Sequence, residues 1–240
     1  MRDSQTRMIV RRRIGDYNVL SRLGGGRYGV CYLALDKEGG RVVLKRFRNH
    51  RQGINPEKNY YEAVILSGLQ HPAVPKLLGV LNVPQGYFFV LEHMNGITLE
   101  KWLFQKKKEF NDSEVFRIGA QLLEIISYLH RRSVSHGDIS IANVLDDGRQ
   151  VSLIDFGLAR YMDGKKIDPK LDYSYVANLL LFLLYSSYHG KTGDVWYTEL
   201  PLSESRKDFL MRMLGLKDSF CSTEEACRQF RSCFRPYAGL

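Results

Sequence analysis

Asp138, Asn143 and Asp155 have the side chains and the spacing for chemistry. They lie in one stretch, Ser135 to Arg160, that reads S-H-G-D-I-S-I-A-N-V-L-D-D-G-R-Q-V-S-L-I-D-F-G-L-A-R. Asn143 follows Asp138 by five residues, and Asp155 follows Asn143 by twelve. Between the last two sits a hairpin signal. The apolar runs Val144-Leu145 and Val151-Ser152-Leu153-Ile154 flank Asp146-Asp147-Gly148-Arg149-Gln150. A turn containing Asp-Gly between two β-prone runs predicts a hairpin. Its closure brings Asn143 and Asp155 close in space. An amide oxygen and a carboxylate converging at strand ends make a hard-oxygen site suited to Mg²⁺. Asp138 sits one loop earlier, where it can orient an attacking hydroxyl.

The same stretch resembles the catalytic loop and D-F-G motif of the protein-kinase-like superfamily. That family reads H-R-D-L-K-x-x-N and then D-F-G. Asp138, Asn143 and Asp155-Phe156-Gly157 match, whereas Gly137 and Ser140 depart. The resemblance implies phosphoryl transfer from ATP to a hydroxyl, with Asp138 on the hydroxyl and Asn143 and Asp155 on Mg²⁺. His136 takes the place of the motif's structural histidine and is assigned to packing.

Upstream residues extend the likeness. Gly24-x-Gly26-x-x-Gly29 lies between two predicted strands, which argues against a dinucleotide fold, since that needs a helix after the glycines. Between strands the glycines let the backbone close over phosphates. The implied nucleotide loop is Leu23-Gly24-Gly25-Gly26-Arg27-Tyr28-Gly29-Val30-Cys31, with Cys31 where the family usually has valine. Lys45 ends the apolar run Val42-Val43-Leu44 and resembles the lysine that holds the α- and β-phosphates. Glu62, nine residues before His71-Pro72, is its implied partner. Leu91-Glu92-His93-Met94-Asn95-Gly96 resembles the hinge, with Leu91 lining the pocket and the backbone near Glu92 and Met94 meeting adenine.

The departures carry information. Ser140 stands where Ser/Thr kinases usually place a lysine on the γ-phosphate. Losing one charged hydrogen bond costs about 1.5–3 kcal/mol, or roughly ten- to a hundred-fold in rate. Gly137 replaces the arginine that meets a phosphorylated activation loop, and that loop is short. No A-P-E follows D-F-G, and only 17 residues separate Asp155 from Asp172, read as a buried aspartate starting the next large helix. The family normally uses about twice that length. Activity is therefore expected not to depend on phosphorylation between Leu158 and Lys170.

These residues need elements to position them. Two strands are expected from Tyr17–Leu20 leading into Leu23–Ala34, with the glycines between them, and further strands at Arg41–Phe47, Lys76–Leu81 and Tyr87–Glu92. A helix should start with Asn55 as cap, Pro56 in its first turn and Glu57 on its positive end, and should end at His71-Pro72. Val115, Ile118, Leu122, Ile125, Ile126 and Leu129 form one apolar stripe over Asp112–His130, and Asn111 with Glu114 reads as a capping box. Further helices are expected at Tyr173–Tyr188, Ser203–Leu214 and Thr223–Phe234. The fold class is α+β: a bilobal kinase-like domain over about residues 16–240. Its β-rich N-lobe is 14–93 and its mainly α C-lobe 94–240, after a flexible basic arm over 1–13.

The bulk numbers fit. The 240 residues suit one two-lobed domain. Met1 to Arg13 holds five arginines and no apolar core, unlike a secretory leader. The longest apolar run, about Val176 to Tyr185, is far short of the ~20 residues that span a bilayer. Cys31, Cys221, Cys227 and Cys233 contain no C-x-x-C pair. The last three recur every six residues, about 120° apart on a helix, and do not converge on a metal. Free thiols point to a cytoplasmic protein. The arm supplies +4 of the net charge of +9, and Lys106-Lys107-Lys108 and Arg131-Arg132 add basic clusters. A solvated face on an ATP-binding protein is preferred to a stable nucleic-acid partner. The expected substrate is a protein serine or threonine. The alternatives are a small-molecule phosphotransferase of the aminoglycoside or choline kinase type, which H-G-D also resembles, and a nucleotide-binding pseudokinase scaffold.

Overall fold

A computed structural model of the chain describes residues 13–26, 29–47, 56–162 and 169–236, with backbone alone at Gly26 and 56–60. The expected basic arm, the loop tip Arg27-Tyr28, the Asn55 cap and part of the Leu158–Lys170 window lie outside these residues. The chain divides into two compact units. One combines the residues up to Asn59 with Lys76–His93, and the other combines Tyr60–Pro75 with the chain from Met94 onward.

The first unit is a six-stranded antiparallel sheet. Its strands are β1 (Arg13–Ile14), β2 (Tyr17–Gly26), β3 (Gly29–Leu35), β4 (Arg41–Phe47), β5 (Leu77–Val83) and β6 (Gly86–Glu92), in the order β1-β2-β3-β4-β6-β5. Alternation selects its core. Ile14, Ala34, Val42, Leu44, Phe88 and Val90 are buried on one side, with Tyr17, Val19, Tyr32, Leu81 and Val83 packed against them. The β2–β3 hairpin pairs Gly24 with Cys31, Gly25 with Val30 and Gly26 with Gly29. The strand predictions hold in place, although β2 is continuous through Gly26 with two irregularities, at Val19/Ser21 and Arg22/Gly24.

Helix α1 spans Pro56–Gly68 and stops before His71-Pro72. From Tyr60 on it belongs with the second unit, and the turn after it is tied there by backbone. The Gln70 amide donates to the Tyr128 hydroxyl at 2.6 Å, and the Leu153 amide donates to the Ala73 carbonyl at 2.9 Å.

The second unit is mainly helical. Its long helix α2 (Asp112–His130) starts at the expected capping box. Asn111 Oδ1 accepts from the Glu114 amide at 3.0 Å and Glu114 Oε2 accepts from the Asn111 amide at 3.1 Å. Ten residues of α2 are buried, in the predicted stripe and beside it. Against it pack α3 (Lys170–Ser186), beginning three residues earlier than expected, and α6 (Thr223–Phe234); the short α4 (Trp196–Glu199) and α5 (Glu204–Met213) lie between them in sequence. Gly119 permits the α2–α6 crossing: a Cβ there would lie 2.3 Å from Phe230 Cζ.

Short elements absent from the sequence reading complete the unit. They are β7 (Ile97–Thr98), a π-turn at Lys101–Gln105, β8 (Val134–Ser135) and β11 (Arg160–Tyr161). The predicted hairpin is β9 (Val144–Asp146) with β10 (Val151–Leu153), and β7 adds a third strand on β9. Its turn is held by Asp147, whose Oδ1 accepts from the amides of Arg149 and Gln150 at 2.8 and 2.6 Å. The architecture is α+β, with an antiparallel sheet in the N-terminal part and helices in the C-terminal part. Among the described residues no helix is long and apolar enough to cross a membrane.

Candidate active site

The loop after β8 and the β9–β10 hairpin bring three predicted site residues together. Asn143 Nδ2 donates to Asp138 Oδ2 and to the Asp138 carbonyl, both at 2.9 Å. At the base of the hairpin the Ile154 amide donates to the Asn143 carbonyl at 2.9 Å, so Asp155 begins one residue from a backbone bond to Asn143. Asp155 itself is left-handed, with φ 64° and ψ 78°, an arrangement uncommon for a residue with a Cβ. Its Oδ1 accepts from the Gly157 amide at 3.3 Å. The fully buried Phe156 anchors the turn that follows.

His136 does the packing expected of it. The ring is fully buried and meets Phe156 edge-on at 4.7 Å. Nε2 donates to the Ile154 carbonyl at 3.2 Å, and Nδ1 accepts from the Asp138 amide at 3.3 Å. These bonds require the neutral ring, and burial holds its pKa below the usual value despite three nearby aspartates. As a neutral ring, His136 thus fixes the backbone on both sides of the site.

Asp172 anchors the loop from behind. It is fully buried, near the start of the next large helix, as expected. Its carboxylate accepts from the amides of His136 at 3.0 Å and Gly137 at 2.9 Å, and bonds His130 Nε2 at 2.9 Å. Burial alone would raise its pKa; the hydrogen bonds from His130 and Gly137 outweigh that and hold it low. His130 Nδ1 in turn meets Thr223 Oγ1 at 2.7 Å, and the Tyr173 hydroxyl meets the same oxygen at 2.8 Å.

Gly137 has a local reason to be glycine. Its φ is +73°, and a Cβ would lie 3.0 Å from the Leu158 carbonyl. The loss of the family's arginine therefore accompanies a backbone that side chains adopt only under strain. Directly after D-F-G, β11 pairs with β8, and the Met162 amide donates to the Ser133 carbonyl at 2.7 Å.

Asp138 is half-buried, and its pKa is raised. Burial is the main cause and Asp155 adds to it, while His136 and the Asn143 bond act the other way. A carboxylate whose pKa is raised is better suited to orient and accept a hydroxyl proton.

The remaining predicted residues are placed within their own units. In the sheet, Cys31, Lys45 and Phe89 face one another across β3, β4 and β6. Lys45 is only 3% exposed, and its Nζ lies 5.7 Å from the Phe47 ring centre. Leu23, Gly24 and Gly25 are exposed on β2, and Val30 is half-buried on β3. A Cβ on Gly29 would sit 2.2 Å from the Arg46 carbonyl, whereas one on Gly24 would meet nothing within 4 Å. Gly29 is thus demanded by strand packing, and Gly24 leaves open backbone. Leu91 is buried. The Glu92 amide donates to the Lys76 carbonyl at 2.9 Å, so a ligand takes that donor only by breaking this bond. Glu62, 1% exposed, lies on the part of α1 that belongs to the second unit, as does half-buried Met94.

The donor set fits Mg²⁺. Asn143 commits its NH₂ to Asp138, which leaves Oδ1 as its acceptor face, and Asp155 adds a carboxylate. Among the described residues no three His, Cys, Asp or Glu side chains gather into a metal cage. Mg²⁺ needs none, because it is held by one or two protein oxygens with substrate phosphates and water.

The His130–Asp172–Thr223 network was not found from sequence. Its partners lie 42 and 93 residues from His130, and no local pattern links them.

Comparison with known proteins gives the family. The family profile described as protein kinase domain matches residues 17–205. The chain is 32% identical over 217 residues to the probable serine/threonine-protein kinase YbdM of Bacillus subtilis, covering 86% of this chain and 85% of that protein. It is 31% identical over 195 residues to a probable serine/threonine-protein kinase KIN1 homolog of Encephalitozoon cuniculi. That match covers 76% of this chain but 34% of the relative, so the chain spans about a third of that protein's length. A cell division control protein 2 homolog of Trypanosoma brucei brucei is 36% identical over 148 residues, 60% of this chain and 47% of that protein. With the profile spanning most of its length and a 32% identical relative covered over 85% of its own length, the chain belongs to the protein kinase family.

Proposed function

We propose that this chain transfers the γ-phosphoryl group of ATP, as its Mg²⁺ complex, to a serine or threonine hydroxyl of a protein. The observation that carries the reading is the bond from Asn143 to Asp138 in a loop closed on Ile154, which joins a proton acceptor to two hard-oxygen donors. Asp138 orients the hydroxyl and takes its proton as the oxygen–phosphorus bond forms and the bond to the β-phosphate oxygen breaks. Asn143 and Asp155 hold Mg²⁺, which when bound neutralises phosphate charge. Lys45 contacts the α- and β-phosphates, and Glu62 takes the role of the family's helix glutamate. Leu23 to Cys31 cover the phosphates, with Gly24 as the most open position. Leu91, the Glu92 carbonyl and Met94 receive adenine. Activity does not await phosphorylation after D-F-G, because Gly137 offers no cation to read it. A compartment with reduced thiols, the cytoplasm, suits its free cysteines.

The test is transfer of labelled phosphate from Mg-ATP to a mixed protein substrate, with Asp138→Asn as control and phosphoamino-acid analysis of the product. Label on serine or threonine, lost in the control, supports the reading. Turnover only with small hydroxyl compounds replaces it with a small-molecule phosphotransferase. Stabilisation by Mg-ATP without turnover replaces it with a nucleotide-binding scaffold.

A further inference from the structure

A cavity of about 430 Å³ opens in the second unit where the turn after α1, the C-terminal half of α2 and the first turns of α6 meet. Pockets for small organic ligands run from about 300 to 1,000 Å³. None of Asp138, Asn143 and Asp155 lines it.

One wall is aromatic and fixed. Tyr128, only 8% exposed, accepts the Gln70 amide on its hydroxyl. The His71 ring lies 4.7 Å from it, centre to centre, and His71 Nδ1 accepts from the Ala73 amide at 3.1 Å. Burial holds the His71 pKa below its usual value, so the ring is neutral and Nε2 carries its proton. The Cys227 thiol lines the cavity too; burial pushes its pKa up to about 11. It stays protonated and acts as a small, nearly apolar surface.

The charges around this wall are unequal. Glu224 accepts from Ser127 at 3.1 Å and pairs with Arg131 at 3.4 Å. Glu124 pairs with Arg231. Both carboxylates are thus already met by a guanidinium. Arg228 lines the cavity and has no acidic or hydrogen-bonding partner among the described residues. Arg132 lies 3.9 Å over the Tyr128 ring, likewise without an acid. The two rings are tilted by 47° and form an angled aromatic wall, and Arg228 is the lining cation not met by an acid among the described residues; together they suit a ligand with an aromatic body and one negative end.

We propose that this cavity binds a small aromatic carboxylate, its ring against Tyr128 and His71 and its carboxylate on Arg228. The site is wired to the hairpin. Ala73, whose amide holds His71, accepts the Leu153 amide on its carbonyl, and Asp155 lies two residues further on. A ligand pressing on His71 therefore acts on the strand that leads to Asp155 and changes the rate of phosphoryl transfer. This second step rests on the proposed function; binding does not.

The test titrates 2-naphthoate into the full chain by calorimetry and by NMR line broadening, with 2-naphthylmethanol as the uncharged control. Saturable one-site binding is expected. Loss of one charge-assisted contact weakens it about ten-fold or more, both for the alcohol and for Arg228→Met. Cys227→Leu, which fills the cavity without touching the cations, should weaken it as well. Absence of saturable binding, equal binding of the alcohol, or binding unchanged in Arg228→Met overturns the site. Circular dichroism and melting of the variants establish that each is folded. In the phosphate-transfer assay, a naphthoate effect present in wild type and absent in Arg228→Met supports the coupling. Saturable binding without any effect removes the coupling and leaves the site.

Discussion

The side-chain amide of Asn143 donates to Asp138 on two oxygens, one of the carboxylate and one of the backbone. The bond fixes the carboxylate while burial, its largest influence, raises the Asp138 pKa. For a carboxylate raised in the folded state, protonation favours folding. That stability is present below the unfolded pKa and is lost as pH rises through the folded pKa. At neutral pH the ionised group is therefore a cost. Asp138→Asn should lose at least about a hundred-fold in phosphoryl transfer yet melt at the same temperature or slightly higher. The gain is small, because the group is half exposed and screened. The acid limb of the wild-type rate profile should lie above the ~3.9 of an ordinary aspartate. Full activity in the variant, or a limb at the ordinary value, counts against the role.

Gly137 answers a local backbone demand, its φ of +73°. Gly137→Ala should cost about 1–2 kcal/mol, the usual cost of left-handed backbone for a residue with a Cβ, with added pressure on the Leu158 carbonyl. Gly137→Arg should cost at least as much and gain no activity from phosphate-mimicking acids placed after D-F-G. Urea unfolding gives the first number and the transfer assay the second. An arginine variant of unchanged stability would show that the strain is absent.

The parts legible in the sequence are those whose signals are local. The Asn111–Glu114 capping box and the Asp147-Gly148 turn each declare themselves within a few residues, and both form. The hairpin likewise carries Asn143 to Ile154. Longer connections left no trace. Two-residue strands such as β8 and β11 have no periodicity of their own and exist only because Arg160 meets Ser135. The π-turn at Lys101–Gln105 depends on packing, with Leu103 buried and the Trp102 Nε1 donating to the Asp146 carbonyl. Gly137 read as a missing arginine; its positive φ is a property of the folded loop.

Asp172 should be the residue on which the catalytic loop depends for stability. Removing it leaves the amides of His136 and Gly137, and His130 Nε2, without their acceptor in a buried site. Asp172→Ala should therefore cost about 3–5 kcal/mol. Because the folded-state pKa of Asp172 is lowered, its stabilisation is present above the unfolded pKa and is lost as pH falls through the folded one. The stability gap between wild type and Asp172→Ala in urea should narrow in acid, below the ordinary aspartate range. A gap independent of pH would mean that Asp172 contributes by shape rather than by charge.

Ser140 offers the most direct gain of function. Its amide-linked turn is backbone, with its carbonyl accepting from the Asn143 amide at 3.0 Å. Its hydroxyl has no hydrogen-bond partner among the described residues, so replacing the side chain breaks no bond. A lysine there reaches from the same loop as Asp138 toward the transferred phosphate, as the family's lysine does. One charge-assisted hydrogen bond is worth about 1.5–3 kcal/mol, which predicts a rise of roughly ten- to a hundred-fold in the rate of Ser140→Lys. The rise should appear in the turnover number and leave the unfolding midpoint nearly unchanged. It should also vanish when Asp138→Asn is added, since the lysine stabilises charge that only the activated hydroxyl creates. A variant no faster than wild type would mean that this site already neutralises the phosphate by other means, with the Lys45 ammonium and Mg²⁺ carrying the whole charge.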